Sequence, residues 1–497
     1  MGRAISHPMI YRISTRFRHS SAPRTGRLFA RLRGALALCL CALMLLGQAL
    51  PAFAPPAGAF LGDFTVKDEV ELGKKFNVLI KARLPLVEDP EVKEYVRSIV
   101  ERLKAVVPPQ PFDFETNVLM HNAVNAFASP GGYIFVHTGL LMAMEHESEV
   151  AGVLAHEMAH VTQRHIASRI EKSQRITLLS LAGALAGAFM GGGSSKGAAM
   201  AGSIAAGQTA MLNYSRIDEA DADQVGMQYL VAAGFRPDGM AGAFEKLRRQ
   251  SWSTGTDVPA YLSTHPNITE RISEVRLRVE QQPASVRNRK DDDERFRRVQ
   301  LLVRARYADA AIALRTFEQA KPDDCMSQLG LAILYSRLNR VGEATAAFDR
   351  ALACNPRDQL VWREAGRFHY TKGDRNRATQ MLQRAVLMNS RDYMALFFYA
   401  RLLFDTGQRN EAYTYYKEVL RHLPEDSEVH DYYGRALGMD GQIFKGYLHL
   451  AYSALYANEK EKVEQLRDKA RAVIRTPEDQ AELDRFDTRY QERKAVW

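Results

Sequence analysis

Beyond about residue 290 the apolar positions recur at helical spacing to the end of the chain, whereas residues from about 61 to 285 mix two periods. Short apolar runs at 117–120, 126–128 and 133–137 are separated by turn residues, notably Ser129-Pro130-Gly131-Gly132, and predict a small antiparallel sheet. The period then changes: Val150, Val153, Leu154 and Val161 predict a helix over about 147–170. A second helix is expected over about 215–233, stopped by Gly234 and Pro237. Between these helices, residues 178–211 are rich in Gly and Ala around Gly191-Gly192-Gly193-Ser194-Ser195. That composition suits either a loop flanked by small-residue helices or a lid or membrane-touching element. The charged stretch 287–298, containing Asp291-Asp292-Asp293-Glu294, reads as the junction before the helical region.

That helical region repeats. Pro322, Pro356, Ser390 and Pro424 fall 34 residues apart, and Asp324, Asp358, Asp392 and Asp426 keep the same step. In register, Leu331, Tyr335, Ala344, Phe348 and Ala351 of one unit correspond to Trp362, Gly366, Ala378, Leu382 and Ala385 of the next. This is the tetratricopeptide pattern of one helix pair per repeat, and it predicts an all-α solenoid whose concave surface holds peptides or proteins. Its aromatic residues read mostly as core, so no contact residue is singled out.

The net charge of +9 raises the question of nucleic acid or an acidic membrane, and position answers it. Arg3, Arg12, Arg16, Arg18, Arg24, Arg27, Arg31 and Arg33 precede the first acid, Asp63; without them 59 of the 67 bases face 58 acids. The remainder is nearly neutral, which argues against nucleic-acid binding. After the arginines come an apolar run at 35–46 and a small-residue stretch containing Ala52-Phe53-Ala54, the order of a secretory signal. Cleavage after Ala54 would leave Pro55 next, and cleavage after Ala59 is the alternative. An uncleaved membrane anchor and a mitochondrial transit peptide are rival readings. The expected division is a leader over 1–59 that directs export, a mixed domain over 60–285 and repeats over 286–497. Cys325 and Cys354 fall near the start and end of one helix pair, so a disulfide and two buried thiols are both open.

The candidate chemistry lies in His156-Glu157-Met158-Ala159-His160. Histidines four apart on a helix share a face and can reach one ion, and a hydrolytic zinc needs three protein ligands with one open position. Glu157 lies about 100° round from His156, where it can take a proton from water and pass it to a leaving amine. Gln163 and Ile166 replace the Gly and His with which one zincin class would continue, so the third ligand comes from elsewhere. Glu219 opens the later helix and would bind the metal; Asp223, one turn on, would accept a ligating histidine's ring N–H. Asp218 and Asp221 are explained by the helix dipole. His121, His137, His146 and His165 then read as structural or surface residues.

Together with Asn125-Ala126-Phe127-Ala128-Ser129-Pro130-Gly131-Gly132 and Thr264-His265-Pro266, these motifs resemble the M48 (Ste24-like) zinc metallopeptidases. The resemblance implies an α+β zincin-type domain, mostly helical, carrying one Zn2+ on His156, His160 and Glu219. It further implies that His265 lies at the active site and can cap the metal at rest, and that Arg271 stands nearby. Ser129 departs from the family, which has a large apolar residue there. The implied substrates are unfolded or misfolded envelope proteins, taken as an extended peptide on an edge strand. The repeats would dock the enzyme to outer-membrane assembly machinery, with peripheral membrane contact and chaperone-like help in assembly. The alternative is a largely latent protease acting as a repeat-based adaptor.

Overall fold

The computed structural model describes residues 64–172, 214–253, 260–319, 324–495 and 497. The expected leader and the Gly/Ala-rich segment lie outside the described residues. Among those described, no helix is long and apolar enough to cross a membrane.

Two helices, α1 (Val66–Arg83) and α2 (Pro90–Lys104), lead into the sheet. Its strands are β1 (Glu115–Leu119), β2 (Ala126–Ser129) and β3 (Tyr133–His137), in the order β1-β3-β2. The expected antiparallel sheet is in fact mixed. β2 and β3 are antiparallel, with Ala128 opposite Ile134, but β1 runs parallel to β3, with Asn117 opposite Phe135. The chain reverses twice between β1 and β3, and the three-residue turn at Pro130–Gly132 leaves β3 only its far edge for β1. Gly131 and Gly132 make that turn at φ 77° and 84°. A Cβ on Gly132 would stand 2.4 Å from the Asp113 carbonyl oxygen. Ser129 is extended and fully buried, so the strand tolerates the missing apolar side chain.

The helix expected over 147–170 is two helices. After α3 (Thr138–Ala143), α4 (Glu147–Thr162) ends at Arg164, whose φ of 53° breaks the ladder, and α5 (His165–Lys172) begins at once. Then come α6 (Arg216–Ala232), α7 (Asp238–Ser253), α8 (Ala260–Thr264) and α9 (Ile268–Glu280). Helix α6 starts on a Ser215 capping box and stops before Gly234 at φ 86°, within a residue of expectation.

From α10 (Asp293–Tyr307) and α11 (Ala310–Glu318) onward the chain is helical. The repeats pair α12 (Cys325–Arg337) with α13 (Val341–Cys354), α14 (Gln359–Thr371) with α15 (Arg375–Met388), and α16 (Tyr393–Asp405) with α17 (Arg409–His422). The fourth pair is α18 (Ser427–Met439) with α19 (Ile443–Tyr456); α20 (Lys460–Ala472) and α21 (Pro477–Lys494) close the stack. The recurring aspartates are the N-caps of the first helix in each pair: Asp324, Asp358, Asp392 and Asp426 accept from Ser327, Leu360, Ala395 and Val429 N–H at 2.9–3.2 Å. A second set keeps the same step, with Asn339, Gly373, Gly407 and Gly441 supplying positive φ at each turn between paired helices. Cys325 and Cys354 form a disulfide, Cα to Cα 5.5 Å, joining the start of α12 to the end of α13.

The mixed domain and the repeats share one apolar core that runs from Val87 to Phe368. A buried ionic network crosses the same boundary. Asp89, the N-cap of α2, pairs with Arg306 of α10 and lies 3.6 Å from Arg363 of α14. Arg363 is 1% exposed and reaches Asp392 at 3.0 Å and Glu364 at 2.8 Å; Arg298 bridges Glu91 and Asp358. At the far end, Arg493 Nη1 donates to the Val78 carbonyl of α1 at 3.2 Å, so the last helix closes back onto the first.

One cap carries a cost that pH should reveal. Burial pushes the Asp426 carboxyl from its usual 3.8 up to about 6, although the Val429 N–H opposes this. The folded state therefore penalises the charged form: the penalty is absent below pH 4, develops as pH rises towards 6, and is complete above. Asp426→Asn keeps a good cap and removes the charge. It is expected to add about 1–3 kcal/mol at pH 8 and nothing at pH 4, read from urea midpoints. An equal effect at both pH values would show that the charge is not the cause.

Candidate metal centre

The buried helix α4 carries His156 and His160 on one face, and close approach of its neighbours completes the site. Gly226 of α6 lets that helix approach α4 closely, since a Cβ there would stand a tight 3.0 Å from the Ala155 carbonyl oxygen. That contact, two turns beyond Glu219, lets α6 bring Glu219 and Asp223 up to the histidines. His265 arrives from the end of α8, just before Asn267 at φ 61°, and Arg271 from the first turns of α9.

The geometry brings all the residues singled out in the sequence to one place. His156 Nε2 and His160 Nε2 are 3.0 Å apart. Glu219 Oε1 lies 3.4 Å from His160 Nε2 and 2.9 Å from His265 Nδ1, which is itself 3.4 Å from His156 Nε2. These four donors are mutually within 4.8 Å and buried. A tetrahedral ion with bonds of 2.0–2.1 Å needs donors about 3.3 Å apart, so the set fits a metal ion. Glu157 Oε1 and His265 Nε2 are buried without a hydrogen-bond partner among the described residues, and they stand 3.6 Å from each other.

Asp223 Oδ1 accepts from His156 Nδ1 at 2.9 Å, leaving Nε2 free for the ion. Arg271 clamps Asp223 with two bonds of 2.7 Å and pairs with Glu219 through Nη1. Burial alone would raise both carboxyls, but at Glu219 the nearby His265 and Arg271 outweigh it, holding that group well below its usual range. At Asp223 the clamp does the same, bringing it down to about 2. Burial drives both helix histidines towards the neutral form a ligand needs. Glu157 differs: burial pushes it up to about 7, while its Oε2 accepts the Ala128 N–H of β2 at 3.2 Å. A carboxylate so placed can exchange protons near neutral pH.

Sequence reasoning missed the surroundings. His165, expected to be structural or on the surface, is buried at 8% exposure, and its Nδ1 lies 2.9 Å from His160 Nδ1, a contact the sequence does not signal. Asp221, explained by the helix dipole, also faces its other nitrogen at 3.2 Å. Tyr214 stacks on His160 at 3.7 Å, and Tyr261 on His265 at 4.4 Å. A positive φ at Arg164 and non-local stacking leave no periodic signal to find. The junction aspartates also have a place: Asp293 Oδ1 accepts from Glu147 N–H and Asp291 Oδ1 from Ser148 N–H, both at 3.1 Å. They thus cap α4, the helix that carries the site.

Residues 87–279 match the model of peptidase family M48, and residues 297–430 match that of the cytochrome c-type biogenesis protein H TPR domain. The chain is 32% identical over 274 residues to the beta-barrel assembly-enhancing protease of Escherichia coli, covering 53% of this chain and 56% of that relative, little more than half its length. It is 29% identical over 189 residues to the mitochondrial metalloendopeptidase OMA1 of Schizosaccharomyces pombe, covering 36% of this chain and 51% of that protein. With the metalloprotease LoiP of Escherichia coli it shares 30% identity over 200 residues, 38% of this chain and 73% of LoiP. Site geometry and relatives agree, and the chain belongs to peptidase family M48.

Proposed function

We propose that this chain is a zinc metalloendopeptidase of the bacterial periplasm that cleaves unfolded or stalled envelope proteins, with one Zn2+ per chain on His156, His160 and Glu219. The observation that carries this reading is the buried set of donors on α4 and α6 with Glu157 beside it. Bound there, zinc would polarise the substrate carbonyl and ease ionisation of water. Glu157 takes the proton from that water and returns it to the leaving amine, as its elevated pKa suits. Asp223 and Arg271 hold His156 and Glu219 in place. Strand β2 lies at the edge of the described sheet with its Ala128 N–H directed at Glu157. An extended peptide added along that edge brings its carbonyl to the site, which selects unfolded substrate.

The division into 60–285 and 286–497 belongs to this reading, with the repeats docking outer-membrane assembly machinery, as the name of the E. coli relative suggests. The disulfide and the leader pattern support an oxidising, exported location. Near-neutral charge beyond the leader argues against nucleic acid.

One observation favours a second mode, a largely latent protease acting as an adaptor. His265 Nδ1 stands at the fourth corner of the donor set while its Nε2 faces Glu157, so one imidazole would fill the fourth metal position and cover the base. His265→Ala is expected to raise cleavage of an unfolded outer-membrane protein about tenfold or more, and chelation to stop it. If His265→Ala cleaves no faster than the same variant also carrying Glu157→Gln, the protease reading fails.

A further inference from the structure

We propose that His165 and Asp221 form a positioning relay for His160, so that the second metal-binding histidine is oriented through a bridging imidazole rather than by a carboxylate directly. This rests on the reading that His160 is a ligand. An imidazole that binds metal through Nε2 carries its proton on Nδ1 and must donate it. For His156 the acceptor is Asp223 at 2.9 Å. Among the described residues His160 Nδ1 meets no carboxylate; it meets His165 Nδ1 at 2.9 Å. His165 accepts there only if its own proton sits on Nε2, and Nε2 faces Asp221 Oδ2 at 3.2 Å. One tautomer for each ring therefore satisfies every contact along the line.

The backbone is shaped for this arrangement. On an unbroken helix a residue five positions on lies about 140° round and could not turn back to His160. The left-handed Arg164 ends α4, and its side chain is tied to Glu69 at 2.9 Å, which holds the break and folds His165 under His160. Tyr214 stacks on His160 while the His165 ring meets it at 72°, so the ligand is held from two sides. Glu219, Asp221 and Asp223 divide the work along one helix: the first binds the ion, and the other two each orient one histidine. Asp221 is 43% exposed in its side chain, so the relay ends at the surface and can be cut there without opening the core.

The test is the Zn2+ affinity of the full chain, measured by competition with a chromophoric chelator, alongside the visible spectrum of the Co2+-substituted protein. Asp221→Ala and His165→Phe are each expected to weaken Zn2+ binding about 10–100-fold and to shift the cobalt bands, the metal-free melting temperature of Asp221→Ala staying at the parent value. His165→Gln, which can accept from His160 and donate to Asp221, is expected to restore affinity to within about threefold. If both disrupting variants bind Zn2+ like the parent while His160→Ala does not bind it, the relay is wrong and the metal site stands. If His160→Ala binds Zn2+ like the parent, the site reading itself falls, and the relay with it.

Discussion

Glu157→Gln is expected to reduce cleavage of an unfolded protein by about 10²–10⁴-fold while leaving metal content and fold unchanged. The separation of effects follows from where the side chain points. Glu157 is on the ligand helix, but its Oε2 is occupied by the Ala128 N–H and its Oε1 faces His265 Nε2. A glutamine oxygen can keep the Ala128 bond, so β2 stays in place. What is lost is the ability to take a proton, and the environment that pushes Glu157 up to about 7 is tuned for that ability. Metal analysis on the same preparation completes the test. Loss of the metal would make Glu157 a ligand, and retention of a tenth of the parent rate would remove it from the chemistry. In cells the variant also separates the two modes: unaffected partner maturation would favour the adaptor.

The largest stability effect is expected from Arg363→Met, which should lower stability by about 3–5 kcal/mol in a urea titration. Arg363 is 1% exposed and serves Asp392, Glu364 and Asp89, which come from separate parts of the chain. Methionine fills similar space, so the loss is of charge and not of volume, and the carboxylates are left buried and underpaired. Adding Asp392→Asn and Glu364→Gln should recover part of the loss, because burying fewer unpaired charges matters more than the number of bridges. A single Arg363→Met that unfolds within about 1 kcal/mol of the parent would mean the network carries little net stability.

The local parts of this fold were legible in sequence and the non-local parts were not. The aspartate every 34 residues was visible because a cap is chosen by its own backbone. The matching turn positions escaped notice because Asn339 stands where the later repeats have glycine, though both residues tolerate the left-handed conformation. Histidines four apart and an acidic helix start revealed His156, His160 and Glu219, since each is a pattern within one helix, whereas His265 came only with the family resemblance. The direction of β1 was missed because pairing depends on which edge of β3 a tight hairpin leaves open. His165 was missed because a single left-handed residue changes where the next side chain goes. Arg363 and Asp89 are far apart in sequence, and no periodicity links them.

The caps at the start of α4 bear on how the chain can be dissected. Asp291 and Asp293 lie beyond the expected break at 285, yet they satisfy the first free N–H groups of the helix that carries His156 and His160. A fragment ending at 285 would lose the repeats and, at the same time, fray the catalytic helix at its root. Weak activity in such a fragment would therefore report a damaged active site as much as a missing docking surface, and a cut placed after Tyr307 is the fairer comparison.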